Sequence, residues 1–133
     1  MIVGIFLRYI KTYQKSVYIP LTSGSKFCGL VGDNGVGKSS ILEAIDCFFN
    51  TKTWNINATS KRNKDYQPYI VPVFLLEKKL LSNEDYETAE KVSQVAWNLT
   101  EVIPNNASLF KTFSEQRDEL QKLFPKNDYF LLP

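Results

Sequence analysis

A glycine-rich segment in the first third of the chain carries the residues with the clearest chemistry. Residues 32–39 read G-D-N-G-V-G-K-S and match the phosphate-binding loop pattern G-x-x-x-x-G-K-[ST] at every fixed position. Glycines let consecutive backbone N–H groups turn around an anion without interference from Cβ atoms. A helix that begins near Lys38 adds the positive end of its dipole. The pattern therefore predicts a site for the phosphates of a nucleoside triphosphate.

The polar side chains at the end of this loop have separate predicted tasks. Lys38 can neutralise charge between the β- and γ-phosphates, and the Ser39 hydroxyl can take one coordination position on Mg²⁺. Ser39 is thus the candidate metal ligand. Ser40 is turned about a hundred degrees around the helix from Ser39, so both helix packing and a contact to the α-phosphate stay open for it.

The elements around the loop follow from hydrophobic patterning. Residues 2–10 and 17–21 are rich in β-branched and aromatic types, which predicts two strands paired as a hairpin. Residues 26–31 form a short apolar run between glycine-containing turns, which predicts a fully buried strand that leads into the loop. Residues 38–50 have helical periodicity and predict an amphipathic helix packed on the sheet. The apolar positions of this helix are Ile41, Leu42, Ile45, Phe48 and Phe49.

The middle of the chain begins with a polar stretch. Residues 51–68 lack periodicity, and a solvated mobile loop and a contact with nucleic acid are both open for them. Residues 69–76 predict a strand, in which Pro72 favours an edge position or a bulge because it has no N–H to donate. The basic residues of the polar stretch are Lys52, Lys61, Arg62 and Lys64.

The C-terminal third is predicted to be mainly helical. Ser82 and Asp85 resemble a capping box that opens a helix over at least 83–91. Further along, the stretch around Trp97 fits either a strand or a continued helix. Asn106 is predicted to cap a second helix that Pro125 closes. The apolar side of this helix is Leu109, Phe110, Phe113, Leu120 and Phe124.

The amino-acid composition indicates the broad class of protein. The 133 residues are 44% hydrophobic and 23% charged, which is typical of a globular domain, and a net charge of +2 neither requires nor excludes a polyanionic partner. No apolar run approaches the roughly 20 residues that span a bilayer, so we expect a cytoplasmic protein. The absence of histidine excludes Ser-His and Cys-His nucleophile pairs and histidine-bound zinc. Cys28 and Cys47 lie in apolar segments and are expected to be buried, reduced thiols.

The loop and its helix resemble a known group of ATPases. Residues 34–45 (N-G-V-G-K-S-S-I-L-E-A-I) are similar to the phosphate loop and following helix of the SMC, RecF and OLD group of ABC-type ATPases. Residues 7–13 resemble that group's opening strand, which ends in a polar-aromatic segment near the nucleotide. Gln14 stands where the group often has a basic residue. The nucleotide-binding residues that pattern and resemblance imply together are Tyr13, Gly32, Asp33, Asn34, Gly35, Val36, Gly37, Lys38, Ser39 and Ser40.

The resemblance implies ATP and Mg²⁺ as cofactors and a role in DNA repair or anti-phage defence. Partners would be a second ATPase head in a homo-oligomer or the rest of a longer chain, with nucleic acid as a further partner and no membrane. Hydrolysis in this group requires an acidic pair at the end of an apolar strand and a signature loop from the partner head. Neither is visible by Pro133. Glu77 ends an apolar run, but Pro72 argues against the central strand position that a metal-binding acid needs.

The sequence therefore predicts an α/β fold, the N-terminal part of a P-loop NTPase of the ABC type. Residues 1–50 supply an antiparallel β layer, the loop and its helix; residues 51–68 a basic loop; and residues 69–133 a strand and helices. The apolar C-terminal run, residues 129–133, predicts the start of a buried strand and thus a fragment. Because the acidic pair and the signature loop are not visible, this chain is expected to bind ATP without turnover.

Two alternatives come from other functional classes. One is a complete small assembly or decoy protein that binds ATP without hydrolysing it. The other is a small phosphotransferase, which requires a general base and an arginine-rich lid. Only Arg62 and Arg117 follow the loop, and they are far apart in the sequence.

Overall fold

The chain is built on a four-stranded antiparallel sheet with the strand order β2-β1-β3-β4. A computed structural model describes residues 1–25, 27–54, 56, 67–100 and 107–133. The strands are β1 (Ile2–Arg8), β2 (Val17–Pro20), β3 (Tyr69–Glu77) and β4 (Tyr129–Leu132). The helices are α1 (Lys38–Asn50), α2 (Asn83–Asn98) and α3 (Ala107–Leu123), and a 3₁₀ turn covers Lys78–Leu80.

Helices cover both faces of the sheet, which explains why the strands are so apolar. Side chains alternate between the two faces along a strand. Phe74 of β3 therefore contacts aromatic rings of α1, whereas its neighbours Val73 and Leu75 belong to the cluster that α2 and α3 cover. On the α1 side the buried cluster is Ile5, Leu7, Ile10, Ile41 and Ala44.

The N-terminal hairpin is confirmed. β1 and β2 pair antiparallel, with Gly4 opposite Pro20 and Leu7 opposite Val17. β1 ends two residues earlier than the periodicity predicts. The reason is that Tyr9 adopts a left-handed conformation (φ 56°), which ends extended backbone.

Pro72 lies in β3, which is an interior strand flanked by β1 and β4. The predicted edge position is therefore wrong for the strand. Within the described residues, the pairing of β3 with β4 begins at Phe74, so Pro72 is paired with Ile5 of β1 but lies outside the β4 ladder. The pairing of β1 with β3 also shifts register between Ile2 and Gly4. Pro72, which has no N–H, thus lies where β3 is not paired with β4 and next to the register shift in the pairing with β1.

The predicted buried strand at residues 26–31 is wrong for the part that the structure describes. Residues 27–31 are not a strand, Phe27 is 80% exposed and Val31 is 97% exposed. Cys28 is exposed as well, so the expectation of two buried thiols holds only for Cys47. Both flanks of β1 are already occupied, by β2 and β3, and the described residues supply no further strand beside this run.

α1 has the predicted limits but not the whole predicted buried face. Ile41, Ala44 and Cys47 are buried, whereas Leu42 and Phe49 of the predicted apolar side are 61% and 54% exposed. Apolar residues here span more of the helix surface than the single sheet covers. The excess remains on the outer side of α1.

The C-terminal helices and strand are confirmed. α2 begins after Ser82 as predicted, although the Ser82 side chain makes no capping hydrogen bond, and it continues to Asn98, which decides the ambiguity around Trp97 in favour of helix. Asn106 lies outside the described residues. The apolar C-terminal run forms β4, in which Phe130 and Leu131 are fully buried.

Candidate functional site

The glycine-rich loop joins the exposed segment 27–31 to the start of α1. Three of its glycines have positive φ angles: 152° at Gly32, 86° at Gly35 and 102° at Gly37. Such angles are costly for residues with a Cβ atom, so the glycines allow the chain to curl. At Gly35 an added Cβ would meet no atom within 4 Å, so this part of the loop faces open space that a ligand can enter.

The N-terminus of α1 supplies backbone donors at the end of the loop. Gly37 occupies the N-cap position, the described residues provide no side-chain capping hydrogen bond there, and the first turn of the helix contains no acidic residue. N–H groups at the start of a helix have no partner within the helix and carry its positive dipole end. The arrangement suits an anion, because neither a capping side chain nor a carboxylate competes for this position.

The ammonium group of Lys38 lies over the start of the loop. Its Nζ donates to the carbonyl oxygens of Gly32 and Asp33, the latter at 2.5 Å. These bonds tie the first residues of the loop to the first residue of α1. The positive charge is therefore held against the loop backbone, where it would accompany phosphates bound to the loop N–H groups.

The two serines after Lys38 point in different directions. Ser39 is exposed, whereas Ser40 is 4% exposed on the inner side of α1. An exposed hydroxyl in the first turn suits the predicted role of Ser39 as a ligand of Mg²⁺. The burial of Ser40 agrees with helix packing, the first of the two roles that the sequence leaves open for it.

Tyr13 is the one predicted site residue outside residues 32–40, and the structure brings it against the loop. Its hydroxyl donates to the carbonyl oxygen of Gly37 at 3.5 Å. The phenol is protonated at neutral pH and can donate, and burial raises the pKa of Tyr13 further above its ordinary value. Gln14 and Lys15, the next two residues, are exposed.

The turn that follows β1 and contains Tyr13 is also linked to α1, and this link was not predicted from the sequence. Lys11 forms an ion pair with Glu43, one turn into α1 from Ser39. Both charges are visible in the sequence, but 32 positions separate them. Only the tertiary fold selects Glu43 as the partner of Lys11 among the acidic residues of the chain.

Other aromatic and acidic residues lie away from the loop. Tyr18 is buried beside Phe113 in the core under α2 and α3. Glu77 pairs with Lys79 at 2.5 Å. It lies at the end of the sheet where β1 begins, whereas the turn that contacts Gly37 follows the other end of β1. Within the described residues no group of three Cys, Asp or Glu side chains is arranged to hold a metal ion.

The polar stretch 51–68 lies mostly outside the described residues, including Lys61, Arg62 and Lys64. Its described residue Lys52 forms an exposed ion pair with Asp46 at 2.7 Å, which lowers the pKa of that carboxyl. Among the helices that the structure describes, none is both long and apolar enough for a membrane crossing.

Comparison with models of protein families finds one that matches most of the chain. A family model described as an AAA ATPase domain matches residues 10–129. The chain belongs to this family. The AAA ATPase domain is a P-loop NTPase, and the match includes the glycine loop, α1 and the turn with Tyr13. Comparisons with curated proteins and with solved structures find no significant match.

Membership of the AAA ATPase domain family agrees with the coarse part of the sequence interpretation. A P-loop ATPase that binds nucleotide is supported, and an antiparallel sheet with covering helices is compatible with it. The narrower resemblance to the SMC, RecF and OLD group remains a prediction, as do the individual nucleotide-binding residues.

Proposed function

We propose that this AAA ATPase domain binds ATP with Mg²⁺ through its glycine loop. The observation that carries the proposal is the junction of loop and helix, where positive-φ glycines, an uncapped helix N-terminus and the Lys38 ammonium come together. The backbone N–H groups of residues 32–39 would cradle the phosphates. Lys38 would balance their charge, and Ser39 would contribute one oxygen to Mg²⁺.

We further propose the narrower setting that the resemblance implies. ATP binding would control the association of two ATPase heads, from a second copy or from the remainder of a longer chain, in a DNA-repair or defence role. The similarity of residues 34–45 and 7–13 to the SMC, RecF and OLD group supports this setting. The position of Tyr13 against Gly37 agrees with that group's polar-aromatic segment near the nucleotide.

Replacement of Lys38 tests the nucleotide site. Lys38→Ala removes a charged donor while the loop backbone remains, so we expect affinity for ATP with Mg²⁺ to fall by about 1.5 to 3 kcal/mol, the range for hydrogen bonds to charged groups. Calorimetric titration of ATP with and without Mg²⁺ measures it. Lys91→Ala is the matched control, because Lys91 is an exposed lysine of α2 that forms an ion pair with Glu87 of the same helix.

Three results would contradict the proposal. Equal affinity of the wild type and Lys38→Ala would remove the loop from nucleotide binding. Equal affinity for ATP with and without Mg²⁺ would show that the metal takes no part in ATP binding. Ser39→Ala would then leave the affinity for ATP unchanged. A loss with Lys91→Ala of the same size as with Lys38→Ala would show a general effect of surface charge.

A further inference from the structure

The turn that follows β1 has a constrained backbone. Tyr9 and Lys11 both have left-handed φ angles, 56° and 44°, which are unfavourable for residues with side chains. Ile10 between them is fully buried, and its carbonyl oxygen accepts from the N–H of Tyr13 at 2.8 Å. A buried anchor and a local hydrogen bond thus hold the turn, and with it the ring of Tyr13, in one conformation.

This turn lies directly against the last glycine of the loop. Gly37 is buried, and a Cβ atom added to it would lie 2.8 Å from the hydroxyl oxygen of Tyr13 and 2.9 Å from that of Thr12. Real Cβ atoms do not approach other atoms so closely. A side chain at this position would therefore displace Tyr13 and Thr12, and it would also be strained by the φ of 102°.

The carbonyl group that Tyr13 contacts is the one that starts α1. The oxygen of Gly37 accepts from the N–H of Ser40 at 3.0 Å and from the N–H of Ile41 at 3.2 Å, besides the hydroxyl of Tyr13 at 3.5 Å. Lys38 and Ser39 are the residues spanned by these bonds. The Lys11–Glu43 ion pair attaches the same turn to α1 one turn further along.

We infer that Tyr13 is a positioning residue: its ring and hydroxyl hold Gly37, and through it the first turn of α1, in the conformation that presents Lys38 and Ser39 to phosphate. It acts through the loop backbone rather than by touching the nucleotide. The consequence for nucleotide affinity rests on the proposed function, whereas the effect on the helix start does not.

The test compares the full chain with Tyr13→Phe, which removes only the hydroxyl. Tyr86→Phe is the matched control, because Tyr86 of α2 packs on Phe130 of β4, away from the loop. Amide hydrogen exchange without nucleotide measures the helix start at the N–H groups of Ser40 and Ile41. The N–H of Leu75, bonded to the carbonyl of Met1 in the sheet, reports on global opening. Calorimetry measures ATP affinity with Mg²⁺.

We expect Tyr13→Phe to speed exchange at Ser40 and Ile41 at least about threefold, with Leu75 and the urea midpoint unchanged. ATP affinity should fall by about three- to tenfold, the effect of one net hydrogen bond, and Tyr86→Phe should change none of these quantities. A purely structural hydroxyl would instead speed exchange at Leu75 and lower the urea midpoint, which would overturn the inference.

Two further outcomes overturn it. Weaker ATP binding with unchanged exchange at Ser40 and Ile41 would mean that Tyr13 contacts the nucleotide directly. Faster exchange with unchanged ATP affinity would mean that the helix start does not limit binding. If the wild type binds no ATP, the proposed function fails, and the exchange measurement alone decides whether Tyr13 positions the helix start.

Discussion

At the scale of single residues, the chain places its polar side chains in two ways. Lys38 and Ser39 remain at the surface next to the loop, where a ligand can reach them. Tyr18 and Gln116 are buried together: the Tyr18 hydroxyl donates to Gln116 Oε1, and Gln116 Nε2 donates to the carbonyl oxygens of Val3 and Thr22, each at 2.7 Å. This satisfied network ties α3 to the start of the sheet, because every buried polar atom in it has a partner.

Because of Tyr18, the stability of the fold should decrease at alkaline pH. Burial raises the pKa of Tyr18 well above its ordinary value near 10. The folded state therefore keeps the phenol proton at pH values where the unfolded chain loses it. This contribution to stability is fully present below about pH 10 and is lost as the pH rises further. Urea unfolding of the wild type between pH 8 and 11 should show the decline.

Tyr18→Phe is the control for this pH dependence. The variant should lose about 1 to 3 kcal/mol at neutral pH, because the carbonyl of the Gln116 side chain is left buried with one partner fewer. Its stability should then fall less steeply than that of the wild type above pH 10. Parallel pH profiles of the two proteins would show that the decline comes from other groups.

At the scale of elements, α2 protects the outer edge of the sheet. β4 is an edge strand, and unpaired N–H and C=O groups on such an edge invite pairing with other chains. The N–H of Leu131 donates to the Ser93 hydroxyl at 2.9 Å, and the carbonyl of Tyr129 accepts from the indole of Trp97 at 3.2 Å. Side chains of a helix thus take the place of a fifth strand for these two groups.

Loss of the Ser93 hydroxyl should weaken this edge. Ser93→Ala leaves the buried N–H of Leu131 without its partner, so we expect the free energy of unfolding to fall by about 1 to 3 kcal/mol. Chemical denaturation of the wild type and the variant measures this difference in the free energy of unfolding. Ser82→Ala is the matched control: Ser82 precedes the same helix, but its side chain makes no capping hydrogen bond, so its loss should cost less than about 0.5 kcal/mol. An equal loss in both variants would contradict the role of Ser93.

At the scale of the whole molecule, the two ends of the sheet differ in what they carry. The turn after β1, the glycine loop and the start of α1 meet at one end, and Glu77 lies at the other. β3 spans nine residues, so roughly 25 Å of strand separates its two ends. Phosphate release requires groups that orient water and stabilise the transition state next to the γ-phosphate, and Glu77 is too distant for that.

We expect the 133-residue chain to bind ATP without measurable turnover. Its phosphate release should not exceed that of Lys38→Ala, and Glu77→Gln should change neither the release nor the ATP affinity, because Glu77 pairs with Lys79 away from the loop. A coupled phosphate-release assay with excess ATP measures it. Multiple turnovers that Lys38→Ala abolishes and Glu77→Gln reduces would assign Glu77 a catalytic role that this geometry does not suggest.

The sequence by itself determined the features that depend on neighbouring residues. The loop pattern in residues 32–39, the hairpin of β1 and β2, and the helices that begin after Gly37 and Ser82 were all predicted. Each is specified within a few residues, by periodicity, by glycine or by the residue types that end a helix. The match to the AAA ATPase domain family agrees with the interpretation of residues 32–39 as the phosphate-binding loop of a P-loop NTPase.

Only the tertiary structure decided which apolar and aromatic residues are covered. Phe27 and Val31 form an apolar run as a buried strand would, yet they are exposed, because burial requires partners from distant parts of the chain. Tyr13 and Tyr18 are equivalent by residue type, but one lies against Gly37 and the other lies in the core. Pairings such as Lys11 with Glu43 also join residues that local patterns cannot connect. Contact between distant residues depends on how the elements pack, and packing is a property of the whole fold.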